Sequence, residues 1–133
     1  MTMTTINRGL IINKIWVDRI LDHGKTWEMR SRRTHFTGWF GIIESGSGLI
    51  VGKAFMTSGH IKPTHQELLQ NIDKHQVKDL SLLKKWCYAW TIEKAVRFKE
   101  PTPYKHPQGA VTWVKLDHKI QRQLSYLSNL PNS

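Results

Sequence analysis

The sequence predicts an α+β domain, with a mainly antiparallel sheet or small barrel of about five or six strands flanked by three or four helices. Three observations carry this reading. Stretches with strand character cluster at both ends of the chain, and stretches with helical spacing fill the middle. The turn and cap residues fall between them. The chain has 133 residues and a mass of 15.5 kDa, so two separate cores would leave about 65 residues each, near the lower limit for unaided folding.

The elements follow in order. Gly9-Leu10-Ile11-Ile12 is a short apolar run that suits a buried strand. Asn13 is placed to cap a helix whose apolar residues, Trp16, Val17, Ile20 and Leu21, share one face. Gly24 ends that helix, because glycine tolerates the left-handed turn. From Thr26 to Arg32 the period becomes two, which puts Glu28, Arg30 and Arg32 on one strand face. Trp39 to Glu44 and Leu49 to Met56 form a hairpin around Ser45-Gly46-Ser47-Gly48. Thr64-His65-Gln66-Glu67 has capping-box spacing, with Leu68, Leu69 and Ile72 as the apolar face. Asp79 starts a further short helix through Leu80, Leu83 and Trp86. Tyr88 to Phe98 returns to strand, Lys99 to Gln108 is a loop rich in Pro and Lys, and Ala110 to Leu116 is the last strand. Ile120, Leu124 and Leu127 then give a closing helix after Asp117, over residues 118–127.

Charge is the first functional hint. Twenty Lys and Arg face ten Asp and Glu, a net charge of +10. Such an excess attracts polyanions, since each neutralised phosphate releases condensed counterion. The excess is uneven: residues 1–33 carry seven basic and three acidic groups, whereas residues 63–100 carry seven and five.

Several classes are excluded. No apolar run approaches the roughly 18 residues of a membrane span, and the amino terminus lacks the layout of a secretory leader, so a cytoplasmic location is expected. The single Cys87, between Trp86 and Tyr88, allows no internal disulfide and is expected to be a buried, inert thiol. P-loop, dinucleotide-binding and zinc-protease patterns are missing from the sequence, and the seven His are scattered. No metal or other cofactor is expected.

Gly24-Lys25-Thr26-Trp27-Glu28-Met29-Arg30 resembles the G-x-K-x-x-E-x-R signature of ASCH domains, without the residue between Gly and Lys. Tyr88-Ala89-Trp90 and the stretch Glu100 to Gly109 resemble the late strand and Pro-Gln-Gly loop of that family, and the likeness spans about residues 9–117. The resemblance implies a single PUA-like domain over residues 1–133, a small barrel flanked by helices, related to RNA-binding PUA domains and to the YTH and EVE domains that hold modified bases. It also implies RNA binding, with two enzymatic variants in the family: amidohydrolases of acetylated cytidine, and ribonucleases.

A carboxylate between two cations fixes their side chains, and the set can read a nucleotide: Glu28 accepts from base amino groups, while Lys25 and Arg30 suit phosphate or base acceptors. The candidate nucleic-acid-binding residues are Lys25, Glu28, Arg30, Arg32, Trp39, Tyr104 and Lys105, the last three at a rim beside the charged floor. The expected partner is RNA or another single-stranded nucleic acid, or a modified nucleoside, and not a membrane. Nothing in the sequence specifies an oligomeric state.

The alternative is a hydrolase acting on an acetylated cytidine or on RNA, with Lys25 and Glu28 as catalytic residues. The resemblance places a nucleophilic Thr three residues after the Lys, where this chain has Glu28, and a catalytic Glu near Gln76. A third reading, a basic face that meets an acidic protein, predicts no nucleic-acid binding at all.

Overall fold

The computed structural model describes residues 5–128. Six strands, β1 (Arg8–Ile12), β2 (Trp27–Arg30), β3 (Gly38–Glu44), β4 (Leu49–Ile61), β5 (Tyr88–Pro103) and β6 (Trp113–Lys115), form one sheet. Four α-helices accompany it: α1 (Lys14–Asp22), α2 (His65–Gln70), α3 (Ile72–His75) and α4 (His118–Ser128). Leu80–Lys84 is a 3₁₀ turn, started by the Asp79 carboxylate, which accepts from the Ser81 amide.

The strand order is β2-β5-β4-β3-β1-β6, and only the β1–β3 pair is parallel. The expected barrel is an open sheet with β2 and β6 as its edges. It curls nonetheless. Arg30 on β2 donates from Nη2 to the Ile11 carbonyl on β1 at 2.9 Å. Trp90 on β5 stacks on Trp113 of β6, with ring centroids 6.0 Å apart and planes 9° from parallel. Strands far apart in the order thus meet through side chains across the concave face.

Leu10, Ile12, Phe40, Ile42 and Met56 fill that face, with Val17 and Ile20 of α1 packed onto them. Ile6, Ile43, Ile50, Phe98, Val114 and Leu124 of α4 make a second cluster. Met29, Leu68, Val77, Leu83 and Ala89 form a third, under the helical insertion.

Local details follow the residue chemistry. Thr64 and Glu67 make both bonds of the capping box. Gly24 has φ +74°, the left-handed conformation expected after α1. Asn13 differs from expectation: its side chain makes no cap, and its carbonyl takes the amides of Trp16 and Val17. β2 stops at Arg30, so Arg32 is off the strand. β5 runs on through the expected loop, with Thr102 opposite Ile50 and Pro103 opposite Leu49. β6 is shorter than expected, at three residues. Cys87 is half-buried, not buried, and lies just before the start of β5 at Tyr88. No helix among the described residues is long and apolar enough to cross a membrane.

Candidate nucleotide cleft

Lys25 lies between the left-handed Gly24 and the start of β2. Its backbone amide bonds the Arg19 carbonyl, which turns the side chain inward under α1. The residue is 2% exposed. Its Nζ donates to the His75 carbonyl, lies 4.0 Å from Glu28 Oε1, and sits 4.6 Å from the centroid of the Trp16 ring. Burial is the largest influence on this ammonium and lowers its pKa to about 8; the nearby Glu28 carboxylate opposes that shift, and Arg30 adds to it.

Glu28, 4% exposed, stands between two cations. Arg30 Nε donates to its Oε2 at 2.9 Å. The Arg30 side chain is the most accessible of the three at 21%. Its Cζ lies 5.4 Å from the Trp90 ring centroid, and Nη2 is held by Ile11. The alternation read from the sequence therefore places Glu28 and Arg30 together on one face.

His75, fully buried, secures the carbonyl that Lys25 uses. Its Nε2 donates to the Leu68 carbonyl at 2.8 Å, and its Nδ1 accepts from the Val77 amide at 3.0 Å. The ring is thereby held as the Nε2–H tautomer, tying α3 to α2 and to the segment that follows it.

Lys25, Glu28 and Arg30 line a cleft of about 220 Å³, walled by Ile11, Trp16, Trp86 and Val111. A second space of about 430 Å³ adjoins it, since Ile11, Ser45 and Val111 border both. Tyr104 and His106 line this second space. Ligand sites commonly measure roughly 300–1,000 Å³, so a ligand in the smaller, charged cleft extends into the second space.

The other candidates lie elsewhere. Arg32 is exposed beyond β2, and its carbonyl accepts from Trp90 Nε1 at 2.9 Å. Trp39 packs edge-on to Phe55, 5.5 Å between centroids, beneath the Lys53 ammonium, and borders neither space. Lys105 is exposed on the loop after β5. Gln76, with φ +56°, turns away from Lys25 and donates to the His23 carbonyl at 2.7 Å.

Sequence reasoning missed His75 and gave Trp16 only a packing role. Trp16 had a signal, its place on the helix just before the signature stretch. The buried histidine, contributing through its carbonyl, had none.

No family model matches this chain, and no curated protein matches it in sequence. Its architecture is an α+β domain built on one open six-stranded sheet. It is similar to the crystal structure of ASCH from Zymomonas mobilis, with a TM-score of 0.63 and 11% identity over 92% of this chain and 94% of that one. A serine-to-alanine variant of that protein gives 0.63 and 12% over 92% and 98% of the two chains. A tyrosine-to-phenylalanine variant gives 0.66 and 12% over 90% and 96%. The fold is that of an ASCH domain.

Proposed function

We propose that this chain is an RNA-binding module that takes a nucleotide of a single strand into the Lys25–Glu28–Arg30 cleft. The observation that carries the proposal is a carboxylate held between two cations at the floor of a concave space. Burying such charges is expensive, and an apolar set would brace the fold at least as well. A donor also remains for a ligand: Arg30 Nη1 has no partner among the described residues.

The charge distribution supports the same reading. Seven of the ten acids are engaged: Asp18, Asp22, Glu28 and Glu44 in ion pairs, and Glu67, Asp79 and Asp117 as caps of helices or turns. Arg32, Arg33 and Lys62 are exposed with no ion pair among the described residues, leaving cations free for phosphates.

Fluorescence anisotropy with a labelled single-stranded RNA tests this. Affinity should fall steeply with salt, and Arg30→Gln should weaken it at least tenfold while circular dichroism stays native. Val111→Asp, which puts a carboxylate on an exposed wall of the cleft, should weaken binding without touching the core. Unchanged affinity in both folded variants would overturn the proposal.

One observation favours a second reading, hydrolysis of an acylated cytidine. Lys25, with its pKa lowered to about 8, stands 4.0 Å from a carboxylate. Glu28 would take a proton from an attacking water, Lys25 would donate to the oxyanion, and the amine would leave with the proton. Turnover of N4-acetylcytidine that vanishes in Glu28→Gln supports it; no turnover by the intact protein ends it.

A further inference from the structure

We infer that the space beside Tyr104 and His106 is a second subsite, which takes the base adjacent to the one in the charged cleft, so that the recognised unit is a dinucleotide step. The inference rests on the proposed nucleotide cleft and extends it.

The two spaces adjoin, since Ile11, Ser45 and Val111 line both. Their chemistry differs. The first holds a buried carboxylate and two cations, whereas the second is lined by no Lys, Arg, Asp or Glu. That contrast suits one nucleotide read by polar groups and a neighbour held by its faces.

The two rings beside the second space are tied together. Tyr104 donates its hydroxyl hydrogen to His106 Nδ1 at 2.8 Å, and His106 Nε2 donates to the Ala110 carbonyl at 2.9 Å. Both imidazole nitrogens are thus occupied, and the ring is fixed without being buried. A histidine held in this way offers a planar face in place of hydrogen-bonding edges. Sequence-tolerant stacking on such faces is how single strands are held.

Val111 is 79% exposed, and it stands where both spaces meet. Gly46 and Gly48, which line the second space, have open space where a side chain would begin. An uncovered apolar side chain and a side-chain-free ledge on one space leave room for a flat ring.

The test compares nucleoside 5′-monophosphates with the corresponding 5′-phosphorylated homodinucleotides by NMR titration of the full chain. Dinucleotides should bind roughly five- to a hundredfold more tightly, the range that one stacked base supplies. His106→Ala should remove that gain and leave monophosphate affinity unchanged. Tyr104→Leu, which keeps an apolar side chain but frees His106 Nδ1, should likewise reduce the dinucleotide gain if His106→Ala fails to fold. Monophosphate binding with no dinucleotide gain, or a gain that survives both variants, overturns the subsite and leaves the cleft standing. Failure of both ligand classes to bind removes the cleft, and the subsite with it.

Discussion

The Arg30 guanidinium reaches across the concave face to the Ile11 carbonyl, tying the edge strand β2 to β1 with a 2.9 Å hydrogen bond. The same side chain holds Glu28 through Nε at 2.9 Å. One residue therefore both closes the gap that backbone pairing leaves open and fixes the acceptor on the cleft floor.

Arg30→Lys tests this double duty. A single ammonium cannot present two donors in a planar fork, so one partner is lost. The expected loss is about 2 kcal/mol, somewhat below that for a fully buried pair because Arg30 is one-fifth exposed. Urea unfolding of the two proteins measures it.

Lys25 gives a pH signature. Its folded-state pKa, about 8, lies below the ordinary value of 10.5. Between those values the unfolded chain binds more protons than the folded one, so stability rises with pH. Below about pH 8 both states are protonated, and the cost of the buried charge is fully present. The gain from pH 8 to 10 is about 2–3 kcal/mol. Lys25→Met should remove the Lys25 share of that rise, while Lys53, whose pKa burial also lowers, keeps its own. Restricting the comparison to below pH 10 avoids the Tyr104 hydroxyl, whose pKa burial raises and which acts in the opposite sense at higher pH.

Gly59→Ala probes the joint between β4 and the segment before β3. A Cβ at Gly59 would lie 2.1 Å from Thr34 Cγ2 and 2.7 Å from the Thr34 carbonyl oxygen. The expected cost is about 2–3 kcal/mol. Adding Thr34→Ala should restore only part of it, because the carbonyl stays where it is. Thermal unfolding of the single and double variants reports the split.

Much of this was legible in the sequence, for local reasons. Alternation set Glu28 beside Arg30, and spacing set the Thr64–Glu67 box. Turn chemistry set the Ser45–Gly48 hairpin. What escaped depends on distant partners. The run of β5 through Pro101 and Pro103 looks like a loop because proline cannot donate. β2 pairs only with Tyr88–Thr91, however, so the later part of β5 pairs with β4 alone and has a free edge where proline is tolerated. The deep burial of Lys25 needs Trp16, nine residues earlier, and the carbonyl of His75, fifty residues later. No spacing rule joins those three.

The most direct measurement is heteronuclear NMR of the labelled protein during titration with nucleoside 5′-monophosphates, following the arginine Nε–H and backbone amide signals. The Arg30 side-chain signal and the amides of Ile11, Glu28 and Val111 should move together and saturate with one affinity. Shifts confined to Arg32, Arg33 and Lys62, with Arg30 unmoved at saturation, would contradict the cleft as the binding site.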